Sequence, residues 1–200
     1  MDEKTIIEGC KEKNNLCRKE FYELFAGRML AVCYRYLGNM ENAKDVMHDA
    51  FIIAFNSMDK FTYMGEGSAF AWLKKIMVNT SLSHLKKRKR IQFIDIEGYV
   101  ANNEPEAHDE NTPDTVPPDI LSEMISRLPD GYRTVLNLYA FEGKSHKEIA
   151  DILNIKLNSS TSQLIRARKL LSKWIDDYHQ NKKHEERFVV RKFEKSSGKI

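Results

Sequence analysis

Residues 91 to 119 carry no lysine or arginine, eight aspartates and glutamates, and four of the chain's five prolines, Pro105, Pro113, Pro117 and Pro118. A stretch of that composition has too little apolar surface to offset the entropy of ordering it, so it reads as a flexible, extended acidic tether. It divides the 200 residues into two bodies. With ends trimmed, each holds roughly 60 to 75 residues, close to the smallest size at which a domain buries enough apolar surface to fold alone. Charge follows the same division. Residues 1 to 90 hold 16 basic and 11 acidic side chains, and residues 120 to 200 hold 16 and 10. The net charge of +3 therefore conceals two cationic bodies and an acidic connector, a distribution suited to a protein that meets a polyanion with both ends.

Several classes drop out at once. Cys10, Cys17 and Cys33 form an odd, sparse set without CxxC or Cys/His ligand spacing, which argues against a disulfide framework or a zinc site and for a cytoplasmic location. No apolar run approaches the ~18 residues of a membrane span, and Met1-Asp-Glu-Lys lacks the apolar core of a signal peptide. The sequence has no GxxxxGK[ST], GxGxxG or HExxH string and no fixed-period repeat, so neither cofactor, metal nor covalent catalysis is expected.

Apolar spacing predicts helices throughout. From Leu16 to about Leu37, residues Cys17, Phe21, Leu24, Phe25, Met29, Val32, Cys33 and Tyr36 recur at three- and four-residue steps, the signature of an amphipathic helix, and Gly38-Asn39 ends it. A second helix starts near Glu41 and carries Ala43, Val46, Ala50, Ile53, Ala54 and Met58 on its apolar side. Asp45 and Asp49 lie one turn apart on its polar side. Residues 59 to 67 hold two glycines and two aromatics and read as a loop. A third helix runs from about Ser68 to Leu85 and finishes in the basic run Lys86 to Arg90. In the second body, helices are expected at roughly 119 to 127, 130 to 141, 145 to 153 and 158 to 177. The tail from 179 to 200 is basic and gives no structural signal. The fold class is all-α, with two small helical domains at 15–90 and 119–178 joined by the linker 91–118.

The most specific local pattern lies between Lys144 and Arg168. Ser145 and Glu148 form the S-x-x-E box that satisfies the first amides of a helix. Ala150 is small where two helices must cross, and Asn154 stands where a tight turn needs a left-handed backbone. Ile155 plugs the core, and Asn158 or Ser159 opens the next helix. This is a helix-turn-helix, whose second helix enters the major groove. Lys156, Asn158, Ser159, Thr161, Ser162 and Ile165 then face outward, with Arg166, Arg168 and Lys169 placed for phosphates. A helical hairpin with a solvated basic face is the alternative.

In the first body, Phe70, Trp72, Lys74, Lys75, Asn79 and the run Lys86, Lys87, Arg88 combine aromatic and cationic side chains, and the preceding loop adds Phe61 and Tyr63. Rings beside cations suit single-stranded nucleic acid, whose unstacked bases lie on aromatic faces while Lys and Arg track the backbone. Core packing is the competing explanation for Phe70 and Trp72. Asp45 and Asp49, with His48 between them and Phe51 beside them, form an acidic strip that serves either a basic protein partner or only solvent.

The whole pattern resembles the bacterial RNA polymerase sigma factors of the extracytoplasmic-function type, over about residues 15 to 178. Glu41 to Phe55 resembles that family's clamp-gripping region 2 helix. Gly67 to Arg88 resembles its helix for the -10 element. Leu128 to Gly143, followed by the helix-turn-helix, resembles its region 4, which reads the -35 element. The resemblance implies a promoter-directing factor, with Asp45, His48, Asp49 and Phe51 on core polymerase. Phe61, Tyr63, Phe70, Trp72, Lys74, Lys75, Asn79, Lys86, Lys87 and Arg88 would meet the melted -10 strand. Lys156, Asn158, Ser159, Thr161, Ser162, Arg166 and Arg168 would meet -35 duplex. Implied partners are core RNA polymerase at its clamp and flap, promoter DNA, and an anti-sigma factor, with no membrane insertion. The chain departs from the family pattern at His48, where Gln is usual, and at Asn154, where Gly is usual. It also departs at Ser160, where a branched apolar residue is usual, and at Thr161, where a basic one is common. A buried hydroxyl at Ser160 needs a partner.

Two rivals account for less. A stand-alone helix-turn-helix regulator leaves the aromatic and basic first body unused. A metal-dependent nuclease or recombinase built on Asp45 and Asp49 lacks a third ligand at helical spacing.

Overall fold

The computed structural model describes residues 1–87 and 116–197, with side chains to residue 182. Among these residues there are helices and no strands: α1 (Glu3–Lys11), α2 (Asn15–Leu37), α3 (Met40–Asn56), a 3₁₀ turn (Met58–Lys60), α4 (Ser68–Lys87), α5 (Pro118–Arg127), α6 (Asp130–Ala140), α7 (His146–Leu153) and α8 (Leu157–Ser197). Arg88 and nearly all of the acidic tether lie outside the described residues. The tail for which the sequence gives no signal continues α8 as far as Ser197.

Side-chain caps fix where the first helices begin. The Asn14 side chain accepts from the amides of Leu16 and Cys17 at 2.9 and 3.3 Å, and Asn39 accepts from Asn42 at 3.0 Å. Each supplies an acceptor to amides that have no partner within the helix. Between these two helices Gly38 takes a left-handed φ of 64° and closes α2.

Phe21, Phe25, Met29, Cys33 and Tyr36 of α2 are buried against Ala43, Val46, Ala50 and Ala54 of α3 and against Leu73, Met77 and Leu85 of α4. Ile53, expected on the apolar side of α3, is instead 48% exposed. It stands one turn beyond Asp49 and so shares the acidic side of the helix.

Helix α1 is not among the elements expected from the sequence. Asp2 caps it by accepting from the Thr5 amide at 2.7 Å, and Ile6, Ile7 and Cys10 enter the core beside α2 and the 3₁₀ turn. The two helices cross closely, since a Cβ on Gly9 would lie 2.2 Å from Cys17 Sγ.

Helices α5 to α8 bury Leu128, Val135, Leu138, Ile149, Leu153, Leu164 and Ala167. This group rests on the C-terminal end of α2 through α5 and α6. Arg133, 3% exposed, donates from Nε to the Tyr36 carbonyl at 2.9 Å and from Nη2 to the Leu37 carbonyl at 3.1 Å. Its Nη1 donates to the carbonyls of Ser126 and Leu128 at 2.9 and 2.6 Å, and Asp130 balances its charge. Asn137 Nδ2 donates to the Arg35 carbonyl at 2.9 Å. The last carbonyls of a helix have no partner within it and carry the negative end of its dipole, so a guanidinium is well matched to this end of α2.

Candidate nucleic-acid interface

The acidic side of α3 is open. Asp45, His48 and Asp49 are exposed, and Ile52 and Ile53 beside them are 59% and 48% exposed. His48 Nε2 lies 3.2 Å from the Tyr22 hydroxyl, with the two rings stacked. Phe51, expected on this strip, is 3% exposed and packs against Tyr22 and Phe55. A step of 100° per residue turns it from the strip into the core. The exposed apolar groups next to the carboxylates are Ile52 and Ile53. Among the described residues no three His, Cys, Asp or Glu side chains are grouped to hold a metal ion.

The residues expected at the -10 strand divide among three settings. Trp72, Lys75 and Asn79 fall on one side of α4, Trp72 half-buried and the other two exposed. Tyr63 is half-buried in the loop before the helix, where Met64 is 86% exposed. Phe61 is 6% exposed and packs its ring on Trp72 at a centroid distance of 4.8 Å. It therefore buttresses Trp72 from inside and offers no face to a base. Phe70 is half-buried beneath the Arg28 guanidinium at 4.6 Å. Lys74 points to the second group of helices, where its Nζ is 2.8 Å from Glu142 Oε2 and 3.3 Å from the Phe141 carbonyl. Lys86 Nζ donates to the Ile152 carbonyl at the end of α7, at 3.0 Å, and Lys87 is exposed.

The helix-turn-helix forms as its sequence predicts. Ser145 and Glu148 make both halves of the capping box, and the Ser145 amide and hydroxyl and Lys144 hold the Glu148 carboxyl down at about 2. Asn154 closes α7 in the left-handed region at φ 55°, ψ 55°, and the Ile155 amide reaches back to the Ala150 carbonyl at 3.0 Å. At the start of α8, Lys156 and Asn158 are exposed and Ser159, Thr161, Ser162 and Arg166 half-buried. Ser160 is fully buried, and its hydroxyl lies 2.9 Å from His146 Nδ1. The His146 ring stacks on Tyr139, and Arg168 sits over the other ring at 5.5 Å.

Two family models match the chain, Sigma-70 region 2 over residues 21–91 and Sigma-70 region 4 over residues 119–171. The ECF RNA polymerase sigma factor SigW of Bacillus subtilis (strain 168) is 30% identical over 185 residues, covering 87% of this chain and 97% of that protein. The chain belongs to the ECF RNA polymerase sigma factors. The ECF RNA polymerase sigma-E factor of Haemophilus influenzae (strain ATCC 51907 / DSM 11121 / KW20 / Rd) is 28% identical over 180 residues, covering 83% of this chain and 89% of that protein. A solved complex of the sigma factor RpoE with the anti-sigma factor NepR from Bartonella quintana covers 79% of this chain and 96% of that one, at TM-score 0.46 and 22% identity.

Sigma factors direct RNA polymerase to promoters and are initiation factors without catalytic chemistry of their own. In this sigma factor four side chains that sequence reasoning passed over contact residues of these regions: Tyr22 at His48, Arg28 over Phe70, Arg35 sharing Glu142 with Lys74, and His146 at Ser160. Arg28 and Arg35 sit on a helix selected for its apolar pattern, and only their neighbours in space mark them. Among the described residues no helix is long and apolar enough to cross a membrane.

Proposed function

We propose that this sigma factor divides its work among the three surfaces. Asp45 and Asp49, flanked by His48, Ile52 and Ile53, dock on the polymerase clamp, and the second domain reaches the flap and the -35 duplex. Lys156, Asn158, Ser159, Thr161 and Ser162 lie at base edges, with Arg166 and Arg168 on phosphates. Trp72, Lys75 and Asn79, with Tyr63 and Met64 in the adjoining loop, take the single-stranded -10 bases, and Lys86, Lys87 and Arg88 follow the backbone. Phe51 and Phe61 support these surfaces from the core. The domains correspond to residues 15–90 and 119–178, with α1 added to the first, and the acidic linker 91–118 is repelled from DNA.

The observation that carries this reading is the presence of a region 2 match and a region 4 match in one chain, the second containing a capped helix-turn-helix. The protein works in the cytoplasm as a non-enzymatic factor, and an anti-sigma factor is its inhibitory partner. Mixing the full chain with core polymerase and separating by size tests the assignment. Co-elution at one-to-one stoichiometry is expected. A chain that stays free of core while binding duplex operators tightly would instead be a stand-alone regulator.

A further inference from the structure

Arg35 at the end of α2 and Lys74 on α4 converge on one dipeptide of the second domain. The Glu142 carboxylate lies 2.8 Å from Lys74 Nζ and 3.4 Å from Arg35 Nη2, and the Phe141 ring covers the Arg35 guanidinium at 4.0 Å. An anion held between two cations, next to a ring on a guanidinium plane, presents the chemistry of a nucleotide, a phosphate beside a flat base. We propose that Arg35 and Lys74 form a subsite for one nucleotide of single-stranded promoter DNA, which the closed chain fills with its own Phe141 and Glu142.

Three observations favour a nucleotide over a purely structural ion pair. First, the carboxylate is an incomplete occupant: Arg35 Nε is buried without a hydrogen-bond partner, whereas a guanidinium pairs best through two parallel bonds to a phosphate. Second, Phe141 is 42% exposed although it lies on Arg35, so the guanidinium plane is covered by a group held at the surface. Third, Lys74 lies one residue, about 100°, round α4 from Lys75 and the side that carries Trp72 and Asn79, so a strand that turns round the helix from that side reaches the pair. Stacking of a base on a cationic plane would replace the Phe141 contact without loss of contact type. This inference rests on the sigma-factor reading for its choice of ligand.

The test uses the full chain and a single-stranded oligo(dT) probe, with binding followed as a function of salt. Phe141→Ala/Glu142→Ala uncovers the subsite, and binding is expected to tighten about threefold or more, with the salt slope steepening by about 0.7 for the added phosphate. Adding Lys74→Ala or Arg35→Ala to that variant should cancel both changes. Run-off transcription by the wild-type chain with core polymerase separates the two claims. If transcription proceeds while uncovering leaves affinity and slope unchanged, or the gain survives loss of Lys74 and Arg35, the subsite is overturned and the sigma reading stands. Absence of transcription removes the sigma reading itself.

Discussion

His146 Nδ1 and the Ser160 hydroxyl, 2.9 Å apart, join the first helix of the helix-turn-helix to the second through a fully buried oxygen. The pair satisfies with a hydrogen bond a hydroxyl that lies buried between the two helices. His146→Ala strands the hydroxyl, and thermal or urea unfolding should show a loss of about 1–3 kcal/mol. Adding Ser160→Val should recover part of that loss, because replacing both partners with apolar groups removes the unsatisfied atom. Equal stability of wild type and His146→Ala would contradict the contact.

The same histidine predicts a pH dependence. Burial, then the nearby Arg168 charge, holds His146 below its ordinary value of 6.5. A depressed folded value means the neutral ring is favoured in the native state, so the contribution is complete above 6.5 and is lost as pH falls through the folded value. Melting temperature should therefore fall below pH 6.5 more steeply for wild type than for His146→Gln.

Arg133 predicts a larger effect. It supplies hydrogen bonds to four backbone carbonyls, two of them at the end of α2. Arg133→Met leaves those carbonyls and Asp130 without it, and the expected cost is about 3 kcal/mol in urea unfolding. Gly38→Ala attacks the same contact from the other side. Its φ of 64° disfavours a side chain, and a Cβ would lie 2.5 Å from the Ser126 carbonyl and 2.8 Å from Arg133 Nη1. Both variants should raise protease sensitivity between the two domains.

Arg166→Ala should weaken duplex binding by the holoenzyme across promoter sequences and reduce the salt slope by about 0.9, the value for one phosphate contact on duplex. A change confined to one base position would make Arg166 a base reader instead.

Much of this was legible in the sequence where the signal is local. Ser145, Glu148, Ala150 and Asn154 fix the helix-turn-helix because capping and left-handed closure involve residues within a few positions of one another. Helix α1 gives no helical signal in the sequence because nine residues with only Ile6, Ile7 and Cys10 buried make too short a periodic run. Phe51 and Phe61 read as surface residues from sequence because an aromatic side chain suits a binding face and a core alike, and only the direction of the helix or loop decides. Arg133 on Tyr36 and Glu142 on Lys74 join residues 97 and 68 positions apart, and nothing local records such pairings.

On the proposed reading, the exposed acidic face of α3 brings polymerase to promoters that the rest of the chain selects. Run-off transcription with core enzyme and genomic fragments tests it directly, comparing wild type with Asp49→Arg, a substitution at an exposed position that leaves the core untouched. Discrete transcripts with wild type, and none with Asp49→Arg despite an unchanged melting temperature, are predicted. Equal transcription by the two proteins, or none by wild type, would contradict the account.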